Sequence, residues 1–184
     1  MIALENITSQ RGDEISFTNL NTSFEIGFIH GIWNETDNVN TAFLKLLTGN
    51  APLGQGTIRY KGVSLDHADV AYYNKADMPG SGFENELVPY QYDNKYEYNN
   101  KLVYLFDNIF GSADMRSLVH LYKMVLSLKK MGRTILITST DHRALLASTD
   151  FFHILSKGAF QAKIHFRQYD LLDGVIMQMQ HPQP

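Results

Sequence analysis

Cysteine is absent from this chain of 184 residues. That excludes a disulfide framework and thiolate metal sites, and it suits a reducing compartment. A basic excess is missing too: 16 Lys and Arg stand against 19 Asp and Glu, a formal net charge of −3. With no Lys/Arg run, binding to nucleic acid has no support. No apolar run approaches the roughly 20 residues of a membrane span, so direct membrane insertion is not expected. The opening residues, MIALENITSQRGDE, are polar and acidic where a secretory leader would be basic and then apolar. The expected location is therefore the cytoplasm. His30, His120, His153 and His165 show no i, i+4 or H-x-H spacing with carboxylates, so no metal site is expected. What is present is ordinary: 44% hydrophobic and 19% charged residues, the balance of a globular protein. Read as one domain, it is long enough to bury roughly 70% of the surface its unfolded form exposes.

A more local absence lies between Phe24 and Gly49. FEIGFIHGIWNETDNVNTAFLKLLTG reads as a buried strand, a polar loop from Gly31 to Asn40, and a helix from Thr41 to Thr48. Strand, loop and helix N-terminus form the frame of a phosphate-binding loop, in which glycines let backbone N–H groups curl around phosphates and a Lys supplies the point charge. This loop has no Lys and no Gly after Gly31, and it carries Glu35 and Asp37.

Around that frame, residues 2–9 and 14–26 alternate apolar and polar side chains and predict edge strands. GQGTIRYKGVSL predicts a hairpin over 54–65 turning at Lys61-Gly62, and Val70 to Tyr73 a further short strand. From Asn74 to Asn100 the pattern dissolves into irregular sequence with Tyr90, Tyr92, Tyr96 and Tyr98. LVYLF (102–106), ended by Asp107, reads as a strand covered on both faces. The spacing then predicts a helix over 114–131 whose core stripe is Met115, Leu118, Val119, Tyr122, Val125, Leu126 and Met131, with Lys123, Lys129, Lys130 and Arg133 solvated. TILIT (134–138), a short helix His142 to Ala147, FFHIL (151–155) and a strand over 159–166 follow. The alternation is α/β order and predicts parallel pairing.

Three separated stretches, in order, resemble the nucleotide-binding domain of ATP-binding cassette (ABC) ATPases: FLKLLTGNAPLGQGTIRYKGVSL, KLVYLFDNIFGSAD and GRTILITSTDHRALLASTDFFHILSKGAF. The resemblance implies a P-loop NTPase-like α/β core with a mostly parallel sheet and flanking helices, plus an N-terminal antiparallel β subdomain. Its segments would be a β subdomain over about 1–26 and 54–73, a core over about 27–49 and 101–166, a Tyr-rich segment over 74–100 in place of a helical subdomain, and a tail over 167–184.

Carried over residue by residue, the resemblance puts Asn40 at the phosphate-binding Lys and Thr41 at the Mg²⁺-binding Ser/Thr. Asn34, Asp37 and Val39 fall at the loop glycines. Asp107 matches the Walker B Asp, Asn108 stands where the family's catalytic Glu would polarise water, and Ser112-Ala113-Asp114 resembles the D-loop. Thr140 falls at the H-loop His, with His142 two residues on. No adenine-stacking aromatic falls near Arg11, the Q-loop glutamine would fall near Asn74 or Lys75, and Gly80-Ser81-Gly82 matches the signature motif poorly.

The expectation is therefore a catalytically inactive ABC-type domain with no cofactor, acting as a structural or regulatory subunit by protein–protein contact. Its partner would be an ABC ATPase, a permease subunit that holds it at the inner face of the membrane, or a second copy. Two alternatives stay open: a divergent ATPase that holds Mg·ATP with Thr41 and Asp107, and a small-ligand sensor using the cleft of Asn34, Glu35, Asp37 and Asn40. The four tyrosines read either as a lid over a bared sheet edge or as an interface. For Asp107 the plainer reading is a cap or turn carboxylate.

Overall fold

The computed structural model describes residues 1–9, 17–74, 101–110 and 115–171. The tyrosines at 90, 92, 96 and 98, the D-loop-like residues 112–114 and the signature-like residues 80–82 lie outside them.

The first sheet is antiparallel, in the order β2-β1-β4-β5. It comprises β1 (Ile2–Ser9), β2 (Phe17–Phe24), β4 (Gln55–Tyr60) and β5 (Val63–Ser64). In β1 the buried positions are Ile2, Leu4, Ile7 and Ser9. Their spacing widens from two to three where the register shifts, at Asn6, which takes φ 54° and donates its N–H to Asn21 Oδ1 at 2.9 Å. A bulge there keeps one apolar face inward past the irregularity. The β4–β5 turn is made by Lys61 at φ 51° and Gly62 at φ 87°, the pair of left-handed residues that a tight two-residue hairpin requires.

The second sheet has the order β10-β9-β3-β8-β7-β6. Its strands are β3 (Ile29–Trp33), β6 (Val70–Asn74), β7 (Val103–Asp107), β8 (Thr134–Ser139), β9 (Phe151–Ser156) and β10 (Ala159–His165). β6, β7, β8, β3 and β9 pair in parallel, and β10 returns antiparallel on β9. Every residue of β3, β7 and β8 is buried, because both faces of this sheet are covered. On one face the antiparallel sheet and helix α1 (Asp37–Leu47) enclose a core that includes Phe17, Phe24, Phe43, Leu44 and Leu136. On the other, α2 (Met115–Lys130) and α3 (His142–Leu146) cover Ile29, Trp33, Phe106 and Ile137.

Three sequence expectations are corrected. Val70–Asn74 is a strand of the parallel sheet beside β7, outside the antiparallel subdomain to which 54–73 was assigned; its short apolar run says nothing about which sheet will pair with it. Helix α1 begins at Asp37, not Thr41, so the connection from β3 is Asn34-Glu35-Thr36 and the expected loop residues Asp37, Val39 and Asn40 are helical. Of the expected stripe on α2, Val125 is buried, together with Leu121 and Leu128, while Val119 and Leu126, and Met131 just past the helix, are 44%, 50% and 46% exposed. The helix has more apolar positions than one stripe can bury.

Candidate functional site

Because β3, β7 and β8 run parallel, their carboxyl ends lie side by side, where α/β sheets bind ligands. At this edge β3 passes into α1, β7 ends in Asp107, and β8 ends near Thr140. Register sets Asp107 opposite Thr138 on β8 and Asn74 on β6.

Asp107 is 4% exposed and is met by hydroxyl groups on both oxygens. Thr41 Oγ1 donates to its Oδ2 at 2.6 Å and Tyr72 Oη to the same oxygen at 2.8 Å. Thr138 Oγ1 donates to Oδ1 at 2.9 Å. Among the described residues no cation pairs with this carboxylate. Thr41 comes from the first turns of α1 and Tyr72 from β6, so three elements close on the end of β7. Asn108 follows at φ 48° and donates its N–H to Thr138 O at 3.1 Å. Its own Oδ1 is buried without a partner among the described residues.

The remaining predicted residues divide. Asn34 is buried and structural: its Oδ1 accepts from Thr36 N–H and Thr36 Oγ1 at 2.8 and 2.9 Å, and its Nδ2 donates to Leu155 O on β9. That amide fixes the three-residue turn into α1 and explains why the helix starts early. Glu35 and Asp37 are exposed at the same turn. Asn40 is fully buried, and neither amide atom has a partner among the described residues. Thr140 is exposed; its carbonyl accepts from Trp33 Nε1–H at 3.0 Å. His142 opens α3 with its ring edge-on to Trp33 at 6.1 Å. Thr41 and Asp107 are thus in direct contact, whereas Asn34 holds the turn into α1 and Glu35, Asp37 and Thr140 stand exposed around it.

Sequence reasoning missed Tyr72 and Thr138. The signal for Thr138 was its place at the polar end of TILIT, next to an Asp at the end of a neighbouring parallel strand. Nothing local pointed to Tyr72, because its role depends on which strand β6 joins.

A second buried polar cluster lies between the two sheets. His30 on β3 and His153 on β9 are both fully buried, with His30 Nδ1 and His153 Nε2 3.0 Å apart. His30 Nε2 faces Glu25 O at 2.9 Å, so it must carry the hydrogen. That leaves Nδ1 as an acceptor and makes His153 the Nε2–H donor. His153 Nδ1 then ends the chain with no partner among the described residues. Phe24 packs on both rings, at 5.2 and 4.8 Å. Burial pushes the His30 imidazole down to about 4, the hydrogen bond to Glu25 O opposing it. Burial, then the neighbouring His30, holds His153 well below the ordinary range. Both rings are neutral bases in a dry layer.

No protein-family model matches the chain, and no curated protein matches it. Solved structures do. The chain is similar to cbiO1 from Clostridium perfringens, part of the ABC transporter complex cbiONQ. The TM-score is 0.71 at 12% identity, over 98% of this chain and 95% of that one. It is similar to an ATP-binding subunit of an ABC transporter, with TM-score 0.72, 14% identity, and 98% and 99% of the two chains covered. The fold is that of an ABC ATPase. A third ABC-ATPase neighbour, an ATP-binding cassette solved as a dimer bound to ADP and Pi, gives TM-score 0.65 at 14% identity over 91% of this chain and 99% of that one. Among the described residues no helix of this ABC-ATPase fold is long and apolar enough to cross a membrane.

Proposed function

We infer that this chain is an ABC-ATPase-fold subunit that does not turn over ATP. It acts as a structural or regulatory component by protein–protein contact, in the setting of an ABC transport system. The observation that carries this reading is the three-residue connection Asn34-Glu35-Thr36 between β3 and α1, which holds no cation and too little backbone to cradle a triphosphate. In P-loop ATPases Mg²⁺ is held between the loop Ser/Thr and the strand-end Asp. Thr41 Oγ1 donates to Asp107 Oδ2 at 2.6 Å, and because the hydroxyl keeps its lone pairs this pair by itself is no obstacle to a metal ion. Tyr72 adds a further donor to the same oxygen. On this reading the short turn does not fit a triphosphate, and no cofactor is assigned.

The surrounding chemistry supports the reading. Asn40 replaces a cation with a neutral amide, which forgoes a charged hydrogen bond of about 1.5–3 kcal/mol. Glu35 and Asp37 at the entrance to α1 repel polyphosphate, and the helix dipole offsets only about 0.3–1 kcal/mol of that. An amide at Asn108 has no useful proton affinity and cannot serve as a general base. One structural neighbour belongs to a transporter complex and another is dimeric, which favours a contact role for a chain of this shape. Its partner on this reading is an ABC ATPase, a permease subunit or a second copy, and its place is the cytoplasm, at the inner face of the membrane through that partner.

The test is thermal unfolding with and without millimolar Mg·ATP, together with phosphate release. A site filled at a hundred times its Kd would add about 2.7 kcal/mol of stability. The expected result is no shift and no release above the blank. Turnover that disappears in Asp107→Ala would instead establish the divergent Mg·ATP-dependent ATPase. A small-ligand sensor is favoured by one observation, the buried amide of Asn40 with both atoms unpartnered among the described residues. Stabilisation by a neutral or cationic ligand, lost in Asn40→Leu, would support it.

A further inference from the structure

The sheet uses one face of α2, through Leu121, Val125 and Leu128. On the opposite face Val119 and Leu126 are 44% and 50% exposed. Seven residues apart, they fall within about 20° of each other around the helix. Tyr122 flanks them, half-buried and stacked on Phe110 with ring centroids 5.7 Å apart. Along the other flank run Lys123 and Lys130, both exposed. Positions 119, 122 and 126 take the a, d, a places of a heptad, the next d place is Lys129, and 123 and 130 take the e places, where charge selects the partner.

Single exposed apolar residues are ordinary. Here two of them lie in register on one helix face, beside exposed cations of one sign. The helix MRSLVHLYKMVLSLKK contains no Asp or Glu. Lys129 is held by Asp150 at 2.6 Å, but no described carboxylate pairs with Lys123 or Lys130. A second copy laid on this face would set cations against cations. A membrane surface takes a broad apolar face, and this one is a single row. A helix with apolar residues in its seam and carboxylates beside them satisfies both halves.

We propose that the outward face of α2 is a docking seam for an acidic amphipathic helix of a partner protein. This deepens the contact-subunit reading by giving one contact its chemistry. A seam of about three turns buries less than a standard interface, so the contact is transient. The probe is a labelled synthetic helix of three heptads with Leu in the seam and Glu on the flanks, compared by fluorescence anisotropy with the same helix carrying Lys on the flanks. The whole chain should bind the Glu helix about tenfold more tightly. Lys123→Glu with Lys130→Glu should reverse that preference. Val119→Ser with Leu126→Ser should weaken binding by about tenfold while thermal unfolding stays unchanged.

Equal binding of the two helices overturns the proposal, as does no binding to either. So does self-association in sedimentation velocity, or binding to anionic phosphatidylglycerol vesicles, that the serine variants abolish. Phosphate release measured on the same preparation keeps the two readings apart. ATP turnover with helix selectivity intact would remove only the inactive-subunit reading. Absence of both turnover and selectivity would remove only the seam.

Discussion

At Asp107 a buried carboxylate receives hydroxyl hydrogens from Thr41, Tyr72 and Thr138. At His30 and His153 two buried imidazoles share one hydrogen bond, and the chain ends on a nitrogen without a described partner. Both clusters bury polar atoms beside the same sheet, but they depend on opposite conditions. The first is stable because its acceptors are supplied with donors. The second is stable only while neither ring takes a proton. A polar group in a dry layer must be hydrogen-bonded or uncharged, and the two clusters meet that condition in different ways.

The sharpest way to break the comparison is to remove the acceptor. Asp107→Ala leaves the Thr41, Tyr72 and Thr138 hydroxyls without their partner and should cost about 3–5 kcal/mol in urea unfolding. Asp107→Asn, which keeps an acceptor, should cost about 1–2 kcal/mol. A neutral Asp107→Ala would mean that the cluster does not hold β6, β7, β8 and α1 together.

The histidine pair should respond to pH. His30 has an unfolded value of 6.5 and a folded one of about 4. Between these the unfolded chain binds the extra proton, so stability falls as pH drops below 6.5, and above it the pair contributes no slope. From pH 7.5 to pH 5 the loss from His30 alone should be about 2 kcal/mol, with His153 shifted in the same direction adding to it. Urea midpoints across that range measure it, and His153→Leu should reduce the slope by the share of His153 and leave that of His30. A midpoint that is level from pH 7.5 to pH 5 would mean the rings are not held neutral.

Smaller effects refine the contrast. Tyr72→Phe removes one of two donors to Asp107 Oδ2 and should cost about 1 kcal/mol, read from the same unfolding curves. Glu35→Gln, on an exposed turn residue, should stay within about 0.5 kcal/mol of the parent; a larger change in thermal midpoint would mean that this turn carries more of the fold than its exposure suggests.

Much of the architecture was legible because period and punctuation carry it. LVYLF and TILIT have no polar interruption, which only a strand covered on both faces tolerates. Lys61-Gly62 marked its hairpin by turn chemistry. The start of α1 was misread because a polar run before a helix looks like loop, and only Asn34, bonded to Leu155 on a distant strand and to Thr36, turns the chain early enough for Asp37 to be helical. The stripe on α2 was misassigned because periodicity gives an angle around a helix without saying which side meets the sheet.

The candidate site divides the same way. Asp107 and Thr41 could be named from the family resemblance, and Asp107 also from its place at the end of an apolar strand. Tyr72 could not, and Thr138 offered only its place at the end of TILIT, since what matters about them is register across β6, β7 and β8.

Taken alone, the order of residues determined the alternation of strands and helices, the lack of a cation and of glycines after Gly31 in the loop, and the carboxylates placed there instead. These are properties of single positions and short windows. Tertiary structure alone decided that hydroxyl groups from three elements would close on Asp107, that two histidines 123 residues apart would share a hydrogen bond, and that Val119 and Leu126 would face outward. Each of those depends on contacts between segments far apart in sequence, and a hydrogen bond or a buried face exists only once the distant partner is in place.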